Sequence, residues 1–400
     1  MPTTQTTTVG VGVSSDLDST KAGVQAAKKA LGDLGGATCD FLIVFAGMGY
    51  DHRRLLEGIT SVSGKVPLAG CSTQGVAVRG WADENPRVVG VMAIASGDLS
   101  FSHTMHGGLS RDSCEVGRRI SRDLLASPPA RPVVLLCMYD PLTGVNVDRL
   151  IQGLESQGPI PIVGGAASQP WGRIIETFQY ADGEVAQDAA SCVLISGPAR
   201  AEIGLSHGAD PLGIEMQITH ARDNVIYEID GRPAYQAWKD LVGAAEEFSA
   251  DDIASWAIGI RLPEDVGGHY EGCVTRTLFK IDPEHGSIYL QSEIPEGTRV
   301  VFHHRTFDAV MARALGMARH LRERIGDVRP HCVLSFECGA RSIPFLGPAA
   351  ALEELRRVQG ELGDGVPWLG MYAWGELAPI GITNYFHNYT LPICILLPEA

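Results

Sequence analysis

In the run "PLAGCSTQG" at 67 to 75, Cys71, Ser72 and Thr73 stand between two glycines. A thiol beside two hydroxyls reads three ways. Cys71 is a nucleophile, or backbone N–H groups with the Ser72 and Thr73 hydroxyls surround an anion, or small residues merely close a strand end. Nucleophilic catalysis needs a base or a positive dipole beside the thiol, and none stands at local spacing. The G-x-S-x-G elbow and the phosphate-loop lysine are also missing, so hydrolase and nucleotide templates do not apply.

A second constellation lies toward the end of the chain. In "ECGAR", Cys338 and Arg341 follow one strand-like run, and Glu376 in "WGELAP" follows the next. An arginine grips a carboxylate with two parallel hydrogen bonds, and the C-terminal ends of strands are common ligand positions. Arg341 and Glu376 are expected to hold the carboxylate and ammonium of an amino acid, or to pair with each other. Asn388 and Thr390 in "HNYT" either complete that pocket or cap a turn. Gly164, Gly165 and Ser168 in "VGGAAS" take the places of Gly70, Cys71 and the hydroxyls, as a second wall or a matching turn.

Other polar groups carry less. His207 on a loop is a candidate axial ligand for haem, weighed against an ordinary hydrogen-bonded histidine. His303 and His304 face opposite ways in a strand and do not chelate one metal. No HExxH, CxxC or calcium loop is present, so no metal site is expected. Glu246, Glu247, Asp251 and Asp252 read as solvated charge. The stripe Phe307, Val310, Met311, Met317 and Leu321 on a helix from Thr306 to Gly326 reads as core, not a cofactor box.

The elements that must position these residues follow a pattern used three times. "CDFLIVFAG", "PVVLLCMYD" and "HCVLSFECGAR" read as strands, each followed by an amphipathic helix and then "VPLAGCSTQG", "IPIVGGAASQ" or "VPWLGMYAWGE". The helices carry Leu55, Leu56, Ile59 and Val62, then Val147, Leu150, Ile151 and Leu154, then Leu352, Leu355, Val358 and Leu362. Asp51 is a candidate N-cap for the first, and the third starts near Pro348. Proline and glycine recur at one offset as Pro67/Gly70, Pro161/Gly164 and Pro367/Gly370. Further strands follow, and "VVGVMAIASGDLSFSHTMH" and "SCVLISGPARAEIGLSH" read as hairpins. Between the second and third copies the chain turns at Asp230-Gly231 and enters a helix through Pro233, with Tyr235, Trp238 and Leu241 inward. The expectation is an α/β (α+β) protein with mixed sheets flanked by helices, in pseudo-repeated strand-helix-strand-strand units. Two domains are expected, residues 9–222 and 223–397, with sites where units meet.

Composition narrows the partners. With 400 residues, 45% hydrophobic and 20% charged, the chain can bury two cores. A net charge of −15 repels phosphate backbones and anionic membranes, so neither nucleic acid nor membrane is expected as a partner. The start has no basic region followed by an apolar core, and the apolar runs are too short to span a bilayer. Nine scattered cysteines without a CxxC pair suit reduced thiols, so a soluble cytoplasmic protein is expected.

Taken together, "GCSTQG", "VGGAAS", "YEIDGRPA", "IPEGTRV", "ECGAR", "WGELAPIG" and "HNYT" resemble, in order and spacing, the FIST family with its N-terminal and FIST_C domains, over nearly the full chain. The resemblance implies a sensory module that binds a small molecule, an amino acid or similar carboxylate, and signals through a separate protein partner. Some relatives look like haem-binding nitric oxide sensors, which makes haem the one alternative to having no cofactor. An enzyme using a pocket cysteine on a metabolite is the other alternative to a ligand-binding protein. Val76 stands where the family often has an acidic residue, so no role of that carboxylate carries over. The expected ligand-binding set is Cys71, Ser72, Thr73, Gly164, Gly165, Cys338, Arg341, Glu376 and Asn388.

Overall fold

In a computed structural model, residues 7–170, 176–243, 254–263, 266 and 271–399 are described. Each of the three repeated units forms a parallel strand pair joined by a helix. These are Phe41–Gly47 with Leu68–Thr73, Pro132–Tyr139 with Ile162–Ala166, and Cys332–Cys338 with Trp368–Ala373. The joining helices are His52–Ser63, Val147–Leu154 and Pro348–Glu361. Local chemistry sets their starts: Asp51 and Asn146 accept from the N–H of Arg54 and Arg149, and Pro348 occupies the first turn of the third.

The recurring glycine has a steric cause. Gly70, Gly164 and Gly370 sit opposite Val44, Cys137 and Ser335 in the neighbouring parallel strand. A Cβ would lie 1.8 Å from the Val44 carbonyl oxygen, 2.0 Å from that of Cys137, and 2.2 Å from the Ser335 Oγ. Only glycine lets the strands approach this closely without displacement.

Both segments expected to be hairpins instead turn corners between sheets. Val89–Ala95 pairs with Phe41–Ala46 in the first sheet, whereas Ser100–Gly107 pairs with Ala189–Ser196 in the second. Likewise Ala189–Ser196 stays in the second sheet while Ala199–Gly204 pairs with Ile393–Pro398 in the third. A short polar turn serves either purpose, because a strand that switches sheets at a corner needs the same local chemistry as a hairpin. At the first corner, Ser96 Oγ accepts from the N–H of Leu99 at 3.1 Å.

The true hairpins follow each parallel pair, and each is given to another unit. Val76–Val78 with Trp81–Asp83 joins the third sheet, Gln179–Ala181 with Glu184–Ala186 the first, and Glu376–Ile380 with Thr383–His387 the second. Three six-stranded mixed sheets result, interlocked in a cycle. They share one apolar core, to which the units contribute Phe45 and Cys71, Met138 and Val163, and Phe336 and Met371. Helices cover each sheet on the far side, in clusters centred on Leu55 and Ile59, Leu150 and Leu154, and Leu355 and Val358. No helix among the described residues is long and apolar enough to cross a membrane.

In the first two units the edge strand reaches its helix quickly, from Ser14 to Ser19 and from Gly107 to Leu109. In the third, Gly204 and Phe307 are separated by an eight-stranded sheet with its own core of Ile218, Ile226, Trp238, Ile258, Leu278 and Phe302. Asp230 and Gly231 both take positive φ at the expected turn there, and Trp238 is buried on the helix Ala234–Val242. The helix Phe307–Ile325 has Thr306 as its N-cap and buries Val310, Met311 and Leu321. Phe307, expected in that stripe, is 46% exposed, since it lies at the first turn and beyond the core contact. Glu246, Glu247, Asp251 and Asp252 lie outside the described residues.

Candidate ligand-binding site

The three strand ends meet. Gln74, Ser168 and Trp374 each lie four residues beyond the recurring glycine; Gln74 N donates to Ser168 Oγ at 2.7 Å, and Trp374 Nε1 to Gln74 Oε1 at 3.3 Å. The "GCSTQG" end is used up in this junction. Ser72 Oγ accepts from Phe178 N at 3.0 Å, and Thr73 Oγ1 donates to the carbonyls of Gly75 and Tyr372. Cys71 points the other way, into the shared core, with its Sγ 3.5 Å from Met371 Sδ. All three are fully buried, and the two hydroxyls bond within the protein at this strand end, the arrangement the strand-end reading describes.

Arg341 and Glu376 do not pair with each other. Arg341, at 0% exposure, donates to Glu354 Oε1 at 2.6 Å and to the carbonyls of His207 and Val310, and its Nε lies 3.9 Å from Glu337. Glu354 comes from the joining helix, whose buried face sequence periodicity assigned to apolar residues. Glu376 accepts from the N–H and hydroxyl of Thr390 at 3.1 and 2.8 Å, and lies opposite Gly165 in the strand ladder. Glu376, Cys338 and Thr390 are thus brought together, but in a closed interior. Burial pushes the thiols of Cys71 and Cys338 well above their ordinary range, an environment that suppresses nucleophilic thiolate.

Glu376 makes the interior sensitive to pH. Burial pushes its carboxyl up to about 8, while the Thr390 bonds pull the other way. The folded state then holds a proton that the unfolded chain releases in the ordinary carboxyl range. Stability is therefore expected to fall as pH rises toward about 8 and to level off above it. In Glu376→Gln, denaturation midpoints measured between pH 5 and 8 should show a flatter slope; an unchanged slope assigns the proton elsewhere.

His207 is fully buried, with Nδ1 2.9 Å from Glu271 and its ring against His303 at 5.6 Å between centroids. Packed in this way, its ring offers no open edge to a group as large as haem. His303 is buried and its neighbour His304 lies on Trp256, on opposite faces as the strand period requires.

The open space lies elsewhere. A cleft of about 510 Å³ is bounded by the strand-to-helix loop of the second unit (Tyr139, Leu142, Asn146), by Trp374 and Phe386 of the third, and by Asn224, Phe279, Leu290, Gln291, Ser292 and Glu293 of the inserted sheet. It sits at the carboxyl ends of a parallel strand pair and at the start of a helix, where α/β folds hold ligands. Arg276 Nε donates to Ser292 Oγ at 2.7 Å, so the hydroxyl keeps its own proton to donate. Asn388 Nδ2 donates to Gln291 Oε1 at 2.5 Å, which leaves the NH₂ of that amide as the donor end. Arg276 also donates to the Phe386 carbonyl at 2.5 Å and lies 5.0 Å over the Phe386 ring, placing a buried positive charge behind this wall.

Of the expected residues, only Asn388 reaches the cleft, and it does so through Gln291. The segment Phe386–Thr390 is the partition: Phe386 lines the cleft, while Thr390 holds Glu376 in the closed interior. Tyr389 between them has φ 63, donates or accepts at Thr277 Oγ1 (2.6 Å), and lies 3.9 Å beneath the Arg305 guanidinium. Sequence reasoning passed over Arg276, Gln291 and Ser292. The available signals were an arginine inside a short uncharged strand, "CVTRT", and a polar run before "IPEG".

Among known proteins, the chain is 27% identical over 415 residues to an uncharacterised protein of Mycobacterium bovis, covering 98% of this chain and 99% of that one. An uncharacterised protein of Mycobacterium tuberculosis is 27% identical over 406 residues, covering 97% and 99%. One from Methanocaldococcus jannaschii is 25% identical over 248 residues, 59% of this chain and 47% of that one. A solved cyanuric acid hydrolase from A. caulinodans superposes with a TM-score of 0.29 at 8% identity, over 48% of this chain and 71% of that chain, too slight a likeness to carry fold or activity across. Family models match far more directly: the FIST N domain over residues 40–232 and the FIST C domain over 234–379. The chain belongs to the FIST family, whose domains are generally sensory, ligand-binding domains.

Proposed function

We propose that the protein is a cytoplasmic sensory module that takes a small carboxylate-bearing molecule of amino-acid size into the cleft and signals through a separate partner. The observation that carries this reading is the polarity of the inner wall. Ser292 and Gln291 present donors side by side, each oriented by a bond from behind, and Arg276 supplies the positive charge a carboxylate needs. Leu142, Leu290, Trp374 and Phe386 give the remainder of the molecule apolar surface. The nine unpaired cysteines support a reducing, cytoplasmic setting.

The test is thermal stabilisation by a panel of amino acids and organic acids. A ligand at a hundredfold excess over its Kd adds about 2.7 kcal/mol to the native state. Ser292→Ala, which removes one donor without enlarging the core, is expected to weaken the best ligand roughly tenfold, about 1.4 kcal/mol. Equal affinity in the variant removes the inner wall from the site.

A further inference from the structure

The first sheet ends on an unguarded edge strand. Thr8–Ser14 pairs on one side with Val89–Ala95, and among the described residues no strand pairs with it on the other. An antiparallel ladder turns every second N–H and C=O of such a strand outward, and native edges are blunted by charge or proline against pairing with another chain. The equivalent edges of the other two sheets are blunted in this way. Ser100–Gly107 carries His103 and His106, held by Asp182 and Asp123 at 3.1 and 2.7 Å, and Ala199–Gly204 carries the ion pair of Arg200 and Glu202. Thr8–Ser14, "TVGVGVS", has neither charge nor proline.

The surroundings of this strand are self-complementary. Gly10 and Gly12 lie under the helix Ser19–Gly32, where an added Cβ would stand 2.8 Å from that of Asp33 and 2.9 Å from that of Lys29, respectively. Asp33 is therefore placed over Gly10 and Lys29 over Gly12; both are exposed, and neither forms an ion pair among the described residues. On the other face Val9, Val11 and Val13 line an open groove of about 340 Å³, whose far side is Val78, Val366 and Trp368. Lys29 and Asp33 reach its lip, so the groove follows the open edge. The run Val9 to Val13 reads the same in either direction. A two-fold axis at Val11 sets Val9 against Val13 and Gly10 against Gly12 of a second copy, and so brings Asp33 of each copy to Lys29 of the other.

We propose that this edge is the interface of a homodimer, in which two copies pair antiparallel about Val11, join their first six-stranded sheets into one and close two reciprocal Lys29–Asp33 ion pairs. The cleft is built from the second and third units and the inserted sheet, so the proposal stands whatever occupies it.

Sedimentation equilibrium of the full chain at one fixed ionic strength tests it. The native protein is expected at twice the 42.7 kDa of a single chain. Lys29→Glu opposes two acidic side chains at each contact and Asp33→Lys two basic ones, and each is expected to weaken self-association about tenfold. Mixed in equal amounts, the two variants become complementary and should form a heterodimer as tight as the native dimer, a rescue that a folding defect in either chain would not give. A native chain that stays monomeric across the concentration range, or a mixture no tighter than either variant alone, overturns the interface.

Discussion

Arg341→Ala is expected to cost the folded chain about 3–5 kcal/mol, because it strands the buried Glu354 carboxylate without its cation. Arg341 is wholly buried against Glu354 at 2.6 Å and near Glu337 at 3.9 Å. Its other bonds, to the carbonyls of His207 and Val310, tie the third unit to the connection leading into the inserted sheet and to the helix Phe307–Ile325. Chemical denaturation should show a large drop in midpoint. Adding Glu354→Leu to the alanine variant should recover part of it, since the stranded charge is then gone. A cost below about 1 kcal/mol would mean that the carboxylates are neutral or solvated. Loss of ligand affinity with stability intact would return Arg341 to the ligand-binding role its sequence context suggested.

Gly70→Ala and Gly164→Ala are expected to disrupt the sheets at equivalent places, each costing about 3 kcal/mol or more through forced separation of strands. In both, the added methyl group meets a backbone carbonyl, at 1.8 Å from Val44 and 2.0 Å from Cys137. Carbonyls in a parallel ladder cannot turn aside without breaking it. Gly370→Ala is the built-in comparison, because its nearest obstacle is the Ser335 Oγ at 2.2 Å, a side chain that can rotate at the expense of its bond from Trp368 Nε1. Thermal midpoints should therefore rank Gly370→Ala well above the other two. Three equal losses would show that the repeat, and not the obstacle at each position, sets the cost.

The repeated units were legible because their signals are local. Apolar runs, helix faces and the Pro/Gly offset all act within a unit, and Asp51, Pro348 and Thr306 mark helix starts by chemistry that operates within one turn. The cyclic exchange of hairpins was not legible, because Val76–Val78 and Glu376–Ile380 find partners in units hundreds of residues away or earlier in the chain. The same limit governs the site. Arg341 and Glu376 carry ligand-binding chemistry at strand ends, but Glu354 and Thr390 already satisfy them. The cleft gathers residues from six segments with no spacing in common, and its most informative group, Arg276, stands behind the wall in a strand.

Ligand is expected in the cleft and not in the closed interior around "ECGAR". Methyl NMR of the selectively labelled protein, titrated with the amino acid that gives the largest thermal shift, tests it directly. Leu142, Val145, Val147 and Leu290, which line the cleft, are expected to shift first and saturate together. Shifts concentrated instead at Val310, Leu346 and Ala351, the cluster beside Arg341, with the cleft methyls unmoved, would contradict it.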